Sequence, residues 1–268
     1  MQKYKFKLRT ISKVILSGRE SNALYKGIDY NNEHGDCNII YPFYSYEDRM
    51  LRNDEKYDLA KSYYLPGSSF KGALLQSIDD KDFRRQIKTY DTQIERESIK
   101  RITLKKMQYI YPKNDIIIDE NVKTPTFNSF MPSVGIESLK ENTDLEVCIA
   151  TTIERKGLDN IIKNTDEITR EKLKRYMAIL EDRLKYIKEI DAVKKEDHCN
   201  LNILKSEVEE VYLKIKNVCS YKDRLMFIGG YKGLNNSLEK VAADTIQTGL
   251  FIDGCTKLPY GLVSISIM

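Results

Sequence analysis

Tyr64-Leu65-Pro66-Gly67-Ser68-Ser69-Phe70-Lys71-Gly72-Ala73-Leu74 places a strand end, a turn and a helix start in one short stretch. Pro66 and Gly67 interrupt the apolar Tyr64-Leu65 pair. Ala73-Leu74 then continues a helix for which Ser68 or Ser69 is positioned as the N-cap. The same stretch holds the parts of an anion site. Its glycines allow close backbone approach, two hydroxyls offer hydrogen bonds, Lys71 supplies charge, and the helix N–H groups point outward. A capped helix after a tight turn has the same parts, so both readings stand. A nucleotide P-loop does not, because Ala73-Leu74 follows Gly72 where that motif needs Lys and then Ser or Thr.

Working outward, Tyr4, Phe6 and Leu8 alternate with Lys5, Lys7 and Arg9, the period of a half-buried strand that leads to a loop at Gly18. Residues 21–36 are rich in Asn, Asp and Gly and form a hairpin or extended loop. Pro42 then marks the run from Ile39 to Tyr44 as an edge strand or strand end. Residues 108–111, 116–118 and 145–150 read as strands. From Asp166 to Val218 the period changes. Leu173, Met177, Leu180, Leu184 and Ile187 recur at helical spacing, and Leu201, Leu204, Val208, Val211, Ile215 and Val218 repeat it after the polar break KKEDHCN. That predicts an antiparallel helical hairpin whose apolar stripes serve as core or as a surface for a partner subunit. Gly261 to Ile267 is a final alternating strand, so strands bracket helices and the fold class is α+β. The organisation reads as 1–150, an N-terminal unit with a basic segment, followed by 151–268, with the hairpin (166–218), a glycine-rich loop and the C-terminal strand.

With 268 residues the chain needs no staples to bury a core, and its five scattered cysteines form no CxxC pair. A disulfide framework and a zinc ribbon are not indicated, and a reducing cytoplasm is expected. No apolar run approaches the ~18 residues of a membrane span, and MQKYKFKLRTISKVIL reads as a strand, not a leader. The net charge of +4 is unevenly spread: Lys81 to Lys113 holds ten Lys/Arg against four Asp/Glu. Arg84 and Arg85 in that stretch are candidate contacts to a polyanion. A second candidate site is Phe227-Ile228-Gly229-Gly230-Tyr231-Lys232-Gly233-Leu234-Asn235, where glycines admit a backbone, Tyr231 offers a stacking face and Lys232 a charge. A mobile loop would have the same composition.

The N-terminal alternating strand, YLPGSSFKGAL, IGGYKGLNNS and the terminal LPYGLVSISI together resemble the RAMP proteins of CRISPR systems. Among these the chain is most similar to the type III-A (Csm) subunit that binds near the 3′ end of the guide. It departs from that pattern where Leu75 or Gln76 stands in the place of an Arg that often follows the helix start. The resemblance implies one or two ferredoxin-like (RRM-like) units with the helical hairpin inserted. It implies a non-catalytic crRNA-binding subunit without cofactor, capping a guide-bound filament beside other RAMP backbone subunits. Target RNA and a trimming nuclease are further partners open to such a subunit. RNA contacts are then expected at Gly67, Ser68, Ser69, Lys71, Arg84, Arg85, Gly229, Gly230, Tyr231, Lys232, Gly233 and Asn235. The alternative is a RAMP endoribonuclease that processes the guide precursor with a histidine base. Only His34 and His198 exist, neither beside a nucleophile motif, and the first 33 residues hold none. His34-Gly35-Asp36-Cys37 is at best half a metal site, and Asp29, Glu33 and Asp36 read as solvated loop acids.

Overall fold

The computed structural model describes residues 1–17, 22–31, 37–47, 56–108, 126–193, 198–231 and 250–268. In chain order the first half comprises β1 (Gln2–Thr10), β2 (Leu24–Tyr25), β3 (Ile39–Tyr41), β4 (Ser62–Leu65), α1 (Gly67–Leu74), α2 (Lys81–Arg85), β5 (Ile87–Thr89) and β6 (Thr92–Glu95). β7 (Ile99–Ile102), β8 (Leu104–Gln108), β9 (Thr126–Phe130), β10 (Val134–Leu139) and β11 (Asp144–Thr151) follow. The remainder is α3 (Arg155–Val193), α4 (His198–Cys219), β12 (Arg224–Phe227), β13 (Leu250–Phe251) and β14 (Leu262–Ile267). The protein is α+β. The expected strands at 109–111 and 116–118 lie outside the described residues, as do residue 21 and residues 32–36 of the expected loop, whose described part holds β2.

The main sheet is antiparallel throughout, in the order β12-β14-β1-β11-β5, and so draws strands from both sides of residue 150. β1 sits at its centre because its alternation suits it to pair on both edges while burying one face. Phe6 lies opposite Val147 and Ile267, and Leu8 opposite Leu145 and Ile265. These residues join Phe70 and Leu74 of α1 and Leu158, Ile161 and Ile162 of α3 in one cluster. Phe6 meets Phe70 edge-on at 5.5 Å. Fully burying each such side chain contributes about 1.5–3 kcal/mol. Thr165 Oγ1 donates to the Leu74 carbonyl at 2.8 Å, giving the open C-terminal end of α1 a partner on α3.

The helical hairpin is present, but α3 begins at Arg155, one long polar segment before the expected start at Asp166. Only Leu158, Ile161 and Ile162 in that segment are buried apolar residues, too few to announce the periodicity. Beyond Asp166, α3 and α4 turn their stripes inward. Leu173, Leu180, Ile187, Leu204, Val208, Val211, Ile215 and Val218 form a second core with Leu225, Phe227 and Leu262 from the main sheet. Asp166 marks the joint, accepting from Arg170, Arg224 and the Leu225 N–H.

Among the described residues there are three smaller sheets: β2-β3-β10-β7, β13-β8-β9 and β4-β6. β3 is not an edge strand: it pairs antiparallel with β2 and parallel with β10, and Pro42 ends it. No helix among the described residues is long and apolar enough to cross a membrane.

Candidate nucleic-acid interface

The turn before α1 has its own internal anion. Gly67 N–H donates to Asp91 Oδ1 at 2.8 Å, so a carboxylate occupies the helix N-terminus where its charge is favoured. The N-cap is Pro66, without a side-chain cap, and not Ser68 or Ser69. The helix starts as soon as β4 ends, which puts Ser68 and Ser69 inside its first turn with Ser68 exposed. Gly67 is demanded by packing: a Cβ there would come within 2.9 Å of the Thr89 and Tyr90 backbone. Gly72, by contrast, has open space.

Lys71 turns inward. Its Nζ donates to the Ile87 carbonyl at 2.6 Å, joining α1 to β5. Burial, with some repulsion from Arg84, lowers its pKa from the ordinary lysine value. Arg84 donates to the carbonyls of Leu75 and Ile78 at 2.9 and 3.0 Å and so closes the end of α1. Arg85 is exposed and pairs with Asp82 at 2.8 Å. Of the cations expected here, two hold backbone carbonyls and one an acid. Beside the turn, Tyr64 stacks on Tyr46 at 4.4 Å.

The glycine-rich loop starts as a packing device. Gly229 has φ +88°, and a Cβ there would lie 2.4 Å from the Ile15 carbonyl oxygen. Gly230 N–H donates to that oxygen at 2.8 Å. Tyr231, at φ 52°, sets its ring edge-on to Phe251 at 5.8 Å. Lys232, Gly233 and Asn235 lie outside the described residues.

The neighbourhood of Tyr231 was not legible in the sequence. Phe251 meets Phe130 edge-on at 5.4 Å, and Lys106 Nζ lies 4.5 Å from the Phe130 ring centre and 5.5 Å from that of Phe251. Register produces the cluster: Lys106 is opposite Phe251 in β13, and Leu104, two residues away on the same face, is opposite Phe130 in β9. Three half-exposed aromatics with a cation form a surface on which an unpaired base stacks favourably. The sequence signal was the LKKM run inside the basic segment, uninformative until its partners were known.

The outer face of the main sheet carries Lys3, Lys5, Lys7 and Arg9, all exposed. Cross-strand acids offset part of this row: Lys5 pairs with Glu146 at 2.6 Å and Lys7 with Asp144 at 3.7 Å. Among the described residues no group of three or more His, Cys, Asp or Glu is placed to hold a metal ion. The chain matches no protein-family model and no curated protein sequence.

Proposed function

We propose that the protein is an RNA-binding subunit of a type III-A CRISPR effector complex that caps the 3′-end side of the guide-bound filament, built on a ferredoxin-like unit. One observation carries the reading. The order β14-β1-β11-β5, with α1 crossing between β1 and β5 and the α3–α4 hairpin between β11 and β14, is that expected of a β-α-β-β-α-β unit. Both crossovers pack on one face, since α1 and the start of α3 share a core with the inward residues of β1. β12 extends the sheet by one strand; the start of α3 serves as the second crossover, and the hairpin beyond Asp166 is the insertion. Of the segments that carry the RAMP resemblance, PGSSFKGAL is the N-cap and body of α1, and Gly229, Gly230 and Tyr231 of GGYKG follow β12.

The role follows from chemistry of the single-stranded kind: aromatic faces and cations near a glycine-rich loop, suited to gripping backbone and splayed bases. The test is binding of the purified chain to single-stranded RNA and to the same sequence as a duplex, with the products run on a denaturing gel. Salt-sensitive binding that favours the single strand, with intact RNA and a loss on Tyr231→Ala, supports the proposal. Cutting of a repeat RNA at one position by the chain alone would assign the processing endoribonuclease instead. Neighbouring genes for a large polymerase-like and a small helical CRISPR subunit are also expected.

A further inference from the structure

The described cations are not equally available to a polyanion. The β1 row is partly offset by Glu146 and Asp144, Lys71 and Arg84 hold carbonyls, and Arg224 pairs with Asp166. Lys100, Arg101 and Lys105 differ. They line one open cleft of about 650 Å³, between the edge strand β7 and the 253–255 turn after β13, together with Thr103 and Gly254. The other charged groups on its wall are Lys13 and Asp253, which neutralise one another at 2.8 Å. Asp253 has nothing left to offer, because its oxygens also accept from the Cys255 N–H and the Thr256 hydroxyl. The acid opposite Arg101 in register, Glu137, is buried and engaged by the Phe43 N–H and the Tyr57 hydroxyl. Arg101 Cζ lies over the Tyr57 ring, 5.1 Å from its centre, and Lys105 approaches Phe127 at 5.6 Å. Among the described residues none of the three cations forms an ion pair with a carboxylate.

From this geometry we propose that the cleft is a phosphate-backbone site, in which Lys100, Arg101 and Lys105 hold consecutive phosphates of a single RNA strand. The inference rests on the RNA-binding reading above and adds where the strand runs. Lys100, Arg101 and Lys105 belong to the basic stretch between Lys81 and Lys113, and gathered on a concave wall they concentrate field where a flat, paired ladder does not.

The experiment titrates the purified full chain with a labelled polyuridine oligonucleotide over a salt series. The variants are Lys100→Gln/Arg101→Gln/Lys105→Gln, Lys100→Gln alone, and Lys5→Gln/Lys7→Gln on the main sheet. The triple variant is expected to bind more weakly at every salt concentration, with a log–log slope shallower by about 2, at roughly 0.7 per phosphate contact. Lys100→Gln, exposed and outside the core, should lose about a third of that and guards against a folding defect in the triple variant. The β1 variant should keep the wild-type slope. Wild-type binding with unchanged slopes in both cleft variants would overturn the cleft and leave the RNA-binding reading standing. A slope lost only in the β1 variant would move the strand to the sheet face. Wild-type protein that fails to bind the oligonucleotide would overturn both proposals.

Discussion

Lys13 Nζ lies 2.8 Å from Asp253 Oδ1, with both side chains only 3% exposed. The two residues are 240 positions apart, and Glu141 stands 3.0 Å from the same ammonium group. An ammonium so deeply buried is tolerated because its charge is matched on two sides. Asp253→Asn should therefore cost about 3 kcal/mol in urea unfolding, the scale for stranding a buried charge. Replacing both residues, Lys13→Met with Asp253→Leu, should cost clearly less. If the double variant is as unstable as the single one, the loss belongs to the Cys255 and Thr256 contacts and not to the charge.

The same pair sets an alkaline limit. Burial works against the charge on Lys13, but its hydrogen bond and attraction to Asp253, helped by Glu141, outweigh it and raise its pKa above the ordinary 10.5. A raised lysine contributes stability that is fully present below the unfolded-state value and is lost as pH rises through the folded one. The unfolding free-energy gap between wild type and Lys13→Met should thus be constant from about pH 7 to about 10 and shrink above that. A gap already shrinking near neutrality would contradict the pairing.

Two glycines of the resemblance segments should respond oppositely to alanine. Gly229→Ala forces a Cβ against the Ile15 carbonyl at positive φ and should destabilise by about 1–3 kcal/mol. Gly72→Ala, in helix α1 with open space around it, should stabilise by roughly 0.5–1 kcal/mol. Thermal melting compares them directly. Equal losses at both sites would mean that Gly72 meets something its open surroundings do not reveal.

Lys71→Met should lower the melting temperature, because it leaves the Ile87 carbonyl without its donor, and should leave the salt slope of RNA binding unchanged. A slope reduced by about one unit would restore Lys71 to the phosphate contacts that the sequence suggested.

What could be read in the sequence was what local spacing records. The alternation at Tyr4, Phe6 and Leu8, the strand–turn–helix at Tyr64 to Leu74, the paired helical stripes and the last strand all depend on neighbours within one or two turns. What could not be read was set by distant partners. Asp91 reaches Gly67 from 24 residues away, Lys71 finds its carbonyl 16 residues on, and Gly229 answers to Ile15 across the sheet. The first two contacts engage the Gly67 N–H and the Lys71 ammonium, two of the groups that the sequence offered to a phosphate. Lys100, Arg101 and Lys105 were visible as charge, but only β7, β8 and the 253–255 turn together make them a cleft.

The central position of β1 also bears on the order of events during synthesis. Its two neighbours, β11 and β14, begin at residues 144 and 262, so after β1 has left the ribosome one of its edges stays unpaired until β14 has been made. Long-range closure of this kind makes for slow folding, and an unpaired apolar edge is a template for another nascent chain. Lys5, Lys7 and Arg9 serve that interval as well as the finished sheet: three like charges along the waiting strand repel a second copy of it.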